Sequence, residues 1–206
     1  MKLYSGLGQP NPRRVTIYLA EKGVEIPIVT VDTAKREQRT PEFLRKNPLG
    51  KIPVLELDDG SFLPESAAIV EYLEDRFPAP PMIGVTPEAR AQTRATERMI
   101  GDLFAFMGNV LLNSHPYALQ RRPGMVQYPD VAKALQPQID LLLGGLEARV
   151  ADGPYFGGAR PNIADCSLFA LMQTCETHFD YQLPAEVPRL GRLLSAFADR
   201  ASAQAA

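Results

Sequence analysis

The sequence is poor in residues that would tie it to several functional classes. It has two cysteines, Cys166 and Cys175, nine positions apart, without C-x-x-C spacing and without a histidine cluster. That excludes a local redox pair and a cysteine–histidine metal site, and predicts free, buried thiols in a reducing cytoplasm with no bound metal. No charge dominates: 22 Lys and Arg against 24 Asp and Glu give a formal net charge of −2. The basic residues are scattered, so neither nucleic acid nor an acidic membrane surface is an expected partner. No apolar run has the length of a transmembrane helix, and no apolar stretch follows Lys2 as in a signal peptide. With 206 residues, 45% of them apolar, the chain has material for one large domain or two small ones, each with its own core.

A nucleotide loop is also missing. The stretch "YSGLGQPNPRRV" (4–15) runs from a strand pattern into a helix pattern through Gly6 and Gly8. A dinucleotide fingerprint needs a third glycine where Asn11 stands, and no G-K-[ST] follows. Pro10 and Pro12 remove two of the N–H donors such a loop would present. Asn11 instead fits a helix N-cap with Pro12 as first helical residue. The turn then sets an amide side chain and a positive helix end before a ligand.

Hydrophobic patterning divides the chain. Residues 2–5 read as a strand, 12–22 as a helix stopped by Gly23, and "IPIVTV" (26–31) as a second strand. A charged helical stretch lies around 41–45. "KIPVLEL" (51–57), "DDG" (58–60) and "SFL" (61–63) form a hairpin pattern, and 66–77 an amphipathic helix. The order β-α-β-α-β-β-α resembles a thioredoxin-like unit over 1–78. Pro78, Pro80, Pro81 and Pro87 mark a linker, 79–87. From 88 to 206 the pattern is helical: 88–113, 129–151 with Pro137 inside it, 163–177 and 188–200. The fold class expected is α/β followed by an all-helical C-terminal domain.

Three stretches, "NPLGKIPVLEL" (47–57), "PESAAIVEYLEDRFP" (64–78) and "PNIADCSLF" (161–169), together resemble the cytosolic glutathione transferase family across essentially the whole chain. The resemblance implies a thioredoxin-like domain, an all-helical domain, a homodimer, and glutathione as co-substrate. Ile52–Pro53 matches the family's cis-proline, where the backbone of Ile52 pairs with the tripeptide as an added strand does; a plain strand-edge proline is the alternative. Glu65 and Ser66 open the next helix, where backbone N–H groups, the Ser66 hydroxyl and the helix dipole suit a carboxylate and Glu65 an ammonium. Glutathione's γ-glutamyl end carries both groups; alternatively, Ser66 only caps the helix. Lys51 either reaches the glycyl carboxylate or stays in solvent. Asn162 and Asp165 fit a capping box for the helix beginning at Ile163.

The family activates the glutathione thiol, and many relatives do so with a Ser or Cys just before the first helix. A gapless count puts Gln9 there, which rules out mixed-disulfide chemistry at that position. Tyr4 and Ser5 lie earlier. Two candidates stay open. Asn11 follows proline as in the disulfide-reductase branch called nu, and as an N-cap it keeps its NH₂ for a thiolate. "PNPRRV" (10–15) and "LAEKG" (19–23) with "NSHPY" (113–117) resemble a yeast and bacterial branch in which a histidine and a serine hold an activating water; His115 is the match for the histidine, no serine matches, and otherwise His115 caps a helix end. His178 reads as structural. Met107, Leu111 and Tyr117 are candidates to line an electrophile pocket. The function expected is attack of the glutathione thiolate on a small hydrophobic electrophile in detoxification. The alternatives are a glutathione-dependent disulfide reductase and a non-catalytic binding module.

Overall fold

Leu3 and Tyr4, the apolar centre of the first strand, are paired on both sides. In the computed structural model, which describes all residues except Leu7, Pro123, Ala151, Ala205 and Ala206 and the side chain of Arg121, β1 (Lys2–Ser5) runs parallel to β2 (Ile28–Thr30) and antiparallel to β3 (Val54–Glu56). β3 pairs antiparallel with β4 (Phe62–Pro64), giving the sheet order β2-β1-β3-β4. α1 (Pro10–Lys22) crosses from β1 to β2, α2 (Pro41–Lys46) precedes β3, and α3 (Ser66–Arg76) follows β4. This is the thioredoxin-like order that the sequence predicts.

Strand alternation sends cross-strand partners to the same face. Tyr4 and Val54 pack with Val31, Phe43 of α2 and Ile52 in a small core. Leu3 and Leu55 turn the other way and are wholly buried. α1 and α3 pack together, joined by a buried polar knot: Glu74 pairs with Lys22 at 2.5 Å and accepts the Tyr18 hydroxyl at 2.8 Å. Both charges are almost fully buried, so their pairing is obligatory rather than decorative.

The chain forms two compact units, 1–82 with 199–206, and 83–198. This differs from the division read at 78 and 88. Residues 79–82 stay with the first unit because Lys22 donates to the Pro80 carbonyl at 2.6 Å and the Met82 N–H to Glu74 at 2.8 Å. The chain end joins it too: Arg200 makes two bonds to Glu21, at 2.5 and 2.7 Å, Ser202 also donates to Glu21, and Arg13 donates to the Ala203 carbonyl.

The second unit is helical: α4 (Pro87–Ser114), α5 (Pro116–Arg121), α6 (Pro129–Glu147), α7 (Ile163–Phe179) and α8 (Pro188–Ala198). α5 is an addition to the predicted set; six residues give too little periodicity to register as a pattern. α6 continues through Pro137 and ends at Glu147, whose carboxylate accepts the Arg189 and Leu190 N–H groups of α8, both at 2.9 Å. The capping box forms: Asn162 accepts from Ala164 at 2.8 Å and Asp165 accepts from the Asn162 N–H at 2.8 Å. Both cysteines are free and buried. Among the described residues no helix is long and apolar enough to cross a membrane.

Candidate functional site

Strand register gathers the motifs at one end of the sheet of the first unit. The last ladder pairs there are Tyr4 with Val54 and Val54 with Pro64. Two residues beyond these pairs stand Gly6, Ile52 and Ser66. The turn into α1, the start of β3 and the start of α3 therefore share one edge.

α1 begins earlier than its sequence implies. Pro10 is the first helical residue, Gln9 the N-cap, and Asn11 lies inside the first turn rather than at the cap. The prolines explain this. Pro10 and Pro12 have no N–H, so two of the orphan donors that a capping side chain would satisfy do not exist. Gln9 accordingly makes no capping bond and donates its amide to Thr33 Oγ1 at 3.0 Å.

Asn11 meets α3. Its Oδ1 accepts the Ser66 hydroxyl at 3.2 Å, and Ser66 Oγ accepts from Arg14 Nε at 2.8 Å. Ser66 is 3% exposed. It is the first residue of α3 and does not cap it; its hydroxyl is committed to α1. Glu65 takes the N-cap position without a side-chain cap bond, at φ 70°. A non-glycine residue held in that region carries strain, of order 1–3 kcal/mol. The N–H groups of Ser66, Ala67 and Ala68 have no partner among the described residues, and the first helical bond is from Ile69 to the Glu65 carbonyl. Three donors and the positive end of an eleven-residue helix thus point to one place, beside the exposed Glu65 carboxylate.

The Ile52–Pro53 peptide is cis. Ile52 is buried, and neither its N–H nor its carbonyl has a partner among the described residues. Behind it stands Gly6, where an added Cβ would lie 2.5 Å from Ile52 Cδ1. Asn47, 2% exposed, shapes the approach: its amide donates to the Lys51 carbonyl at 2.8 Å and its Oδ1 accepts the Leu49 N–H at 3.1 Å. The Lys51 side chain is exposed. The sequence carried a signal for Asn47 in the N-P turn pair, whereas nothing in it marked Arg14 or the backbone of Glu65.

Tyr4 gives its hydroxyl to Glu56 at 2.8 Å and lies in the small core. Lys2 and Tyr4 hold the Glu56 carboxyl below its ordinary range, the Tyr4 bond foremost. Ser5 is buried. His115 belongs to the second unit, between α4 and α5. Its Nδ1 accepts the Tyr117 N–H at 3.2 Å and caps the start of α5, while its backbone N–H donates to the Leu111 carbonyl and makes it the C-cap of α4 as expected. Its ring stands edge-on to Phe179 at 5.3 Å. His178 does have a partner, stacking on Tyr117 at 5.2 Å. Ser114 turns back to the Val110 carbonyl, and Met107 is fully buried.

Comparison with known proteins gives the family. The family model described as glutathione S-transferase, N-terminal domain, matches residues 1–75. Maleylacetoacetate isomerase of Pseudomonas aeruginosa is 32% identical over 94% of this chain and 89% of its own. A glutathione S-transferase domain-containing protein of Marinobacter aquaeolei is 31% identical, with a TM-score of 0.83 over 98% of this chain and 99% of that one. A glutathione S-transferase of Methylobacillus flagellatus, solved with glutathione bound, is 26% identical, with a TM-score of 0.83 over 98% and 96% of the two chains. The chain belongs to the glutathione S-transferase family.

Proposed function

We propose that the first unit binds glutathione at this edge and that the protein uses its thiolate as a nucleophile. The observation that carries the reading is the pairing of unpartnered backbone groups with helix donors: the N–H and carbonyl of Ile52, and the N–H groups opening α3. An extended tripeptide takes the first as a strand would. Its γ-glutamyl carboxylate takes the second and its ammonium takes Glu65, while Lys51 reaches the glycyl carboxylate.

Lowering a thiol from about 8.5 by two units requires ~2.7 kcal/mol of preference for the thiolate. Asn11 supports this role best. Its Oδ1 is occupied by Ser66, and its NH₂ has no acceptor among the described residues. His115 is the weaker candidate, since its Nδ1 is occupied in capping α5. The thiolate then attacks a small apolar electrophile, and the family resemblance extends the proposal to a cytoplasmic homodimer in detoxification. The name of the Pseudomonas relative favours a second reading, isomerisation, in which the thiolate adds to an alkene and leaves again.

Counting glutathione separates the two. The purified protein is given glutathione with an aryl halide, and separately with a cis-alkene dicarboxylate. Transfer consumes one glutathione per product, whereas isomerisation leaves its concentration unchanged. Bound glutathione with neither reaction contradicts both and leaves the binding-module reading.

A further inference from the structure

We propose that Asn47 is a positioning residue for glutathione, acting through the peptide that joins Lys51 to Ile52. This rests on the glutathione reading above. Asn47 follows α2 as its C-cap, is 2% exposed, and closes the "NPLGK" turn on itself. Its Nδ2 donates to the Lys51 carbonyl at 2.8 Å, and its Oδ1 accepts the Leu49 N–H at 3.1 Å. Its own carbonyl accepts the Gly50 N–H, also at 2.8 Å. A backbone carbonyl only accepts and a backbone N–H only donates, so these partners assign both ends of the Asn47 amide.

The Lys51–Ile52 peptide is trans, so its carbonyl and its N–H share one plane and point in opposite directions. Asn47 holds the carbonyl on one side, and the Ile52 N–H is thereby presented on the other. The Leu49 and Gly50 N–H groups both end on Asn47, whereas the Ile52 N–H has no partner among the described residues. The bond to the Lys51 carbonyl also polarises the peptide and strengthens its N–H as a donor. With the glycyl end of glutathione at Lys51, the tripeptide runs antiparallel to this stretch. Facing residues of an antiparallel pair exchange two bonds, one from each N–H. The Ile52 N–H therefore meets the carbonyl of the central residue, the cysteine whose sulfur has to be placed. Asn47 fixes that donor from behind.

The test compares two ligands by calorimetric titration: glutathione, and an analogue whose Cys–Gly amide is replaced by a trans-alkene of the same shape. The unaltered protein is expected to bind the analogue, which lacks the carbonyl, about five- to tenfold more weakly. Asn47→Asp keeps the acceptor for Leu49 but sets a carboxylate oxygen against the Lys51 carbonyl. It should weaken glutathione by a similar factor and the analogue hardly further, because the bond it disturbs is already absent there. Should that variant not fold, Asn47→Ser, whose hydroxyl cannot span both partners, goes through the same comparison with the same expected outcome. A purely structural role lowers the unfolding temperature and weakens both ligands by one factor, and that result overturns the proposal. Equal binding of the two ligands by the unaltered protein overturns it as well. If the unaltered protein binds neither ligand, the glutathione reading and this inference fall together; if it binds glutathione and the variant weakens both ligands alike, only the inference falls.

Discussion

Tyr4 and Asn11 show what a single residue's chemistry leaves undecided. Both types can donate to a thiolate, and only their neighbours separate them: Tyr4 is held by Glu56 inside a core, Asn11 is held at its oxygen end alone. Tyr4→Phe should therefore cost ~1 kcal/mol of stability, read by denaturant unfolding, and leave glutathione-dependent turnover unchanged. Gly50 is a firmer case. It adopts φ 57° in the "NPLGK" turn, and an added Cβ would lie 2.8 Å from the Gln38 carbonyl oxygen. Gly50→Ala should cost at least ~1–2 kcal/mol, since the left-handed conformation and the clash act together. The motif residues stand out in the sequence because each has one obvious chemical use. Arg14 and the strain at Glu65 were not legible there, since they come from a contact across 52 residues and from a backbone angle.

Elements were legible where the pattern is long or the cap is chemically specific. The four long helices of the second unit announce themselves by period, and α7 by its Asn162–Asp165 box. Asn162→Ala should cost ~1 kcal/mol, seen as a lower unfolding midpoint. Burial pushes the Asp165 carboxyl from 3.8 up to about 7, against the backbone N–H bonds from Asn162 and Phe156. The folded chain then keeps this proton between about pH 4 and 7, where the unfolded chain has lost it. The stability contributed by Asp165 is complete below that window and falls as pH rises through it, by at most ~1.4 kcal/mol per pH unit. Unfolding of Asp165→Asn across the same range should lose that slope. The start of α1 was misplaced by two residues for the opposite reason: its caps are absences, two missing N–H groups that let a poor capping residue serve.

At the scale of the whole molecule, the family and the fold followed from three spaced motifs, while the attachment of the chain end did not. Residues 199–206 look like a polar, alanine-rich tail, yet they belong to the first unit. Burial raises the Glu21 carboxyl, and the bonds from Arg200 and Ser202 outweigh it and hold it below its usual range. A chain ending at Ala198 leaves that carboxylate without these partners and should lose about 2 kcal/mol at neutral pH, with a smaller loss in acid, where Glu21 is protonated in either form. Sequence patterning has no signal for such contacts, because the partners lie 179 residues apart.

The central claim is that the edge formed by Asn11, Ile52, Glu65 and Ser66 holds glutathione. Thermal unfolding of the purified protein with and without reduced glutathione tests it most directly, with the glutathione disulfide run alongside. Ligand at 100 times its dissociation constant adds ~2.7 kcal/mol to the folded state, so the midpoint should rise by roughly 5–10 °C. A larger rise with the disulfide would transfer the account to the disulfide-reductase reading. No rise with either form at millimolar concentration would contradict it.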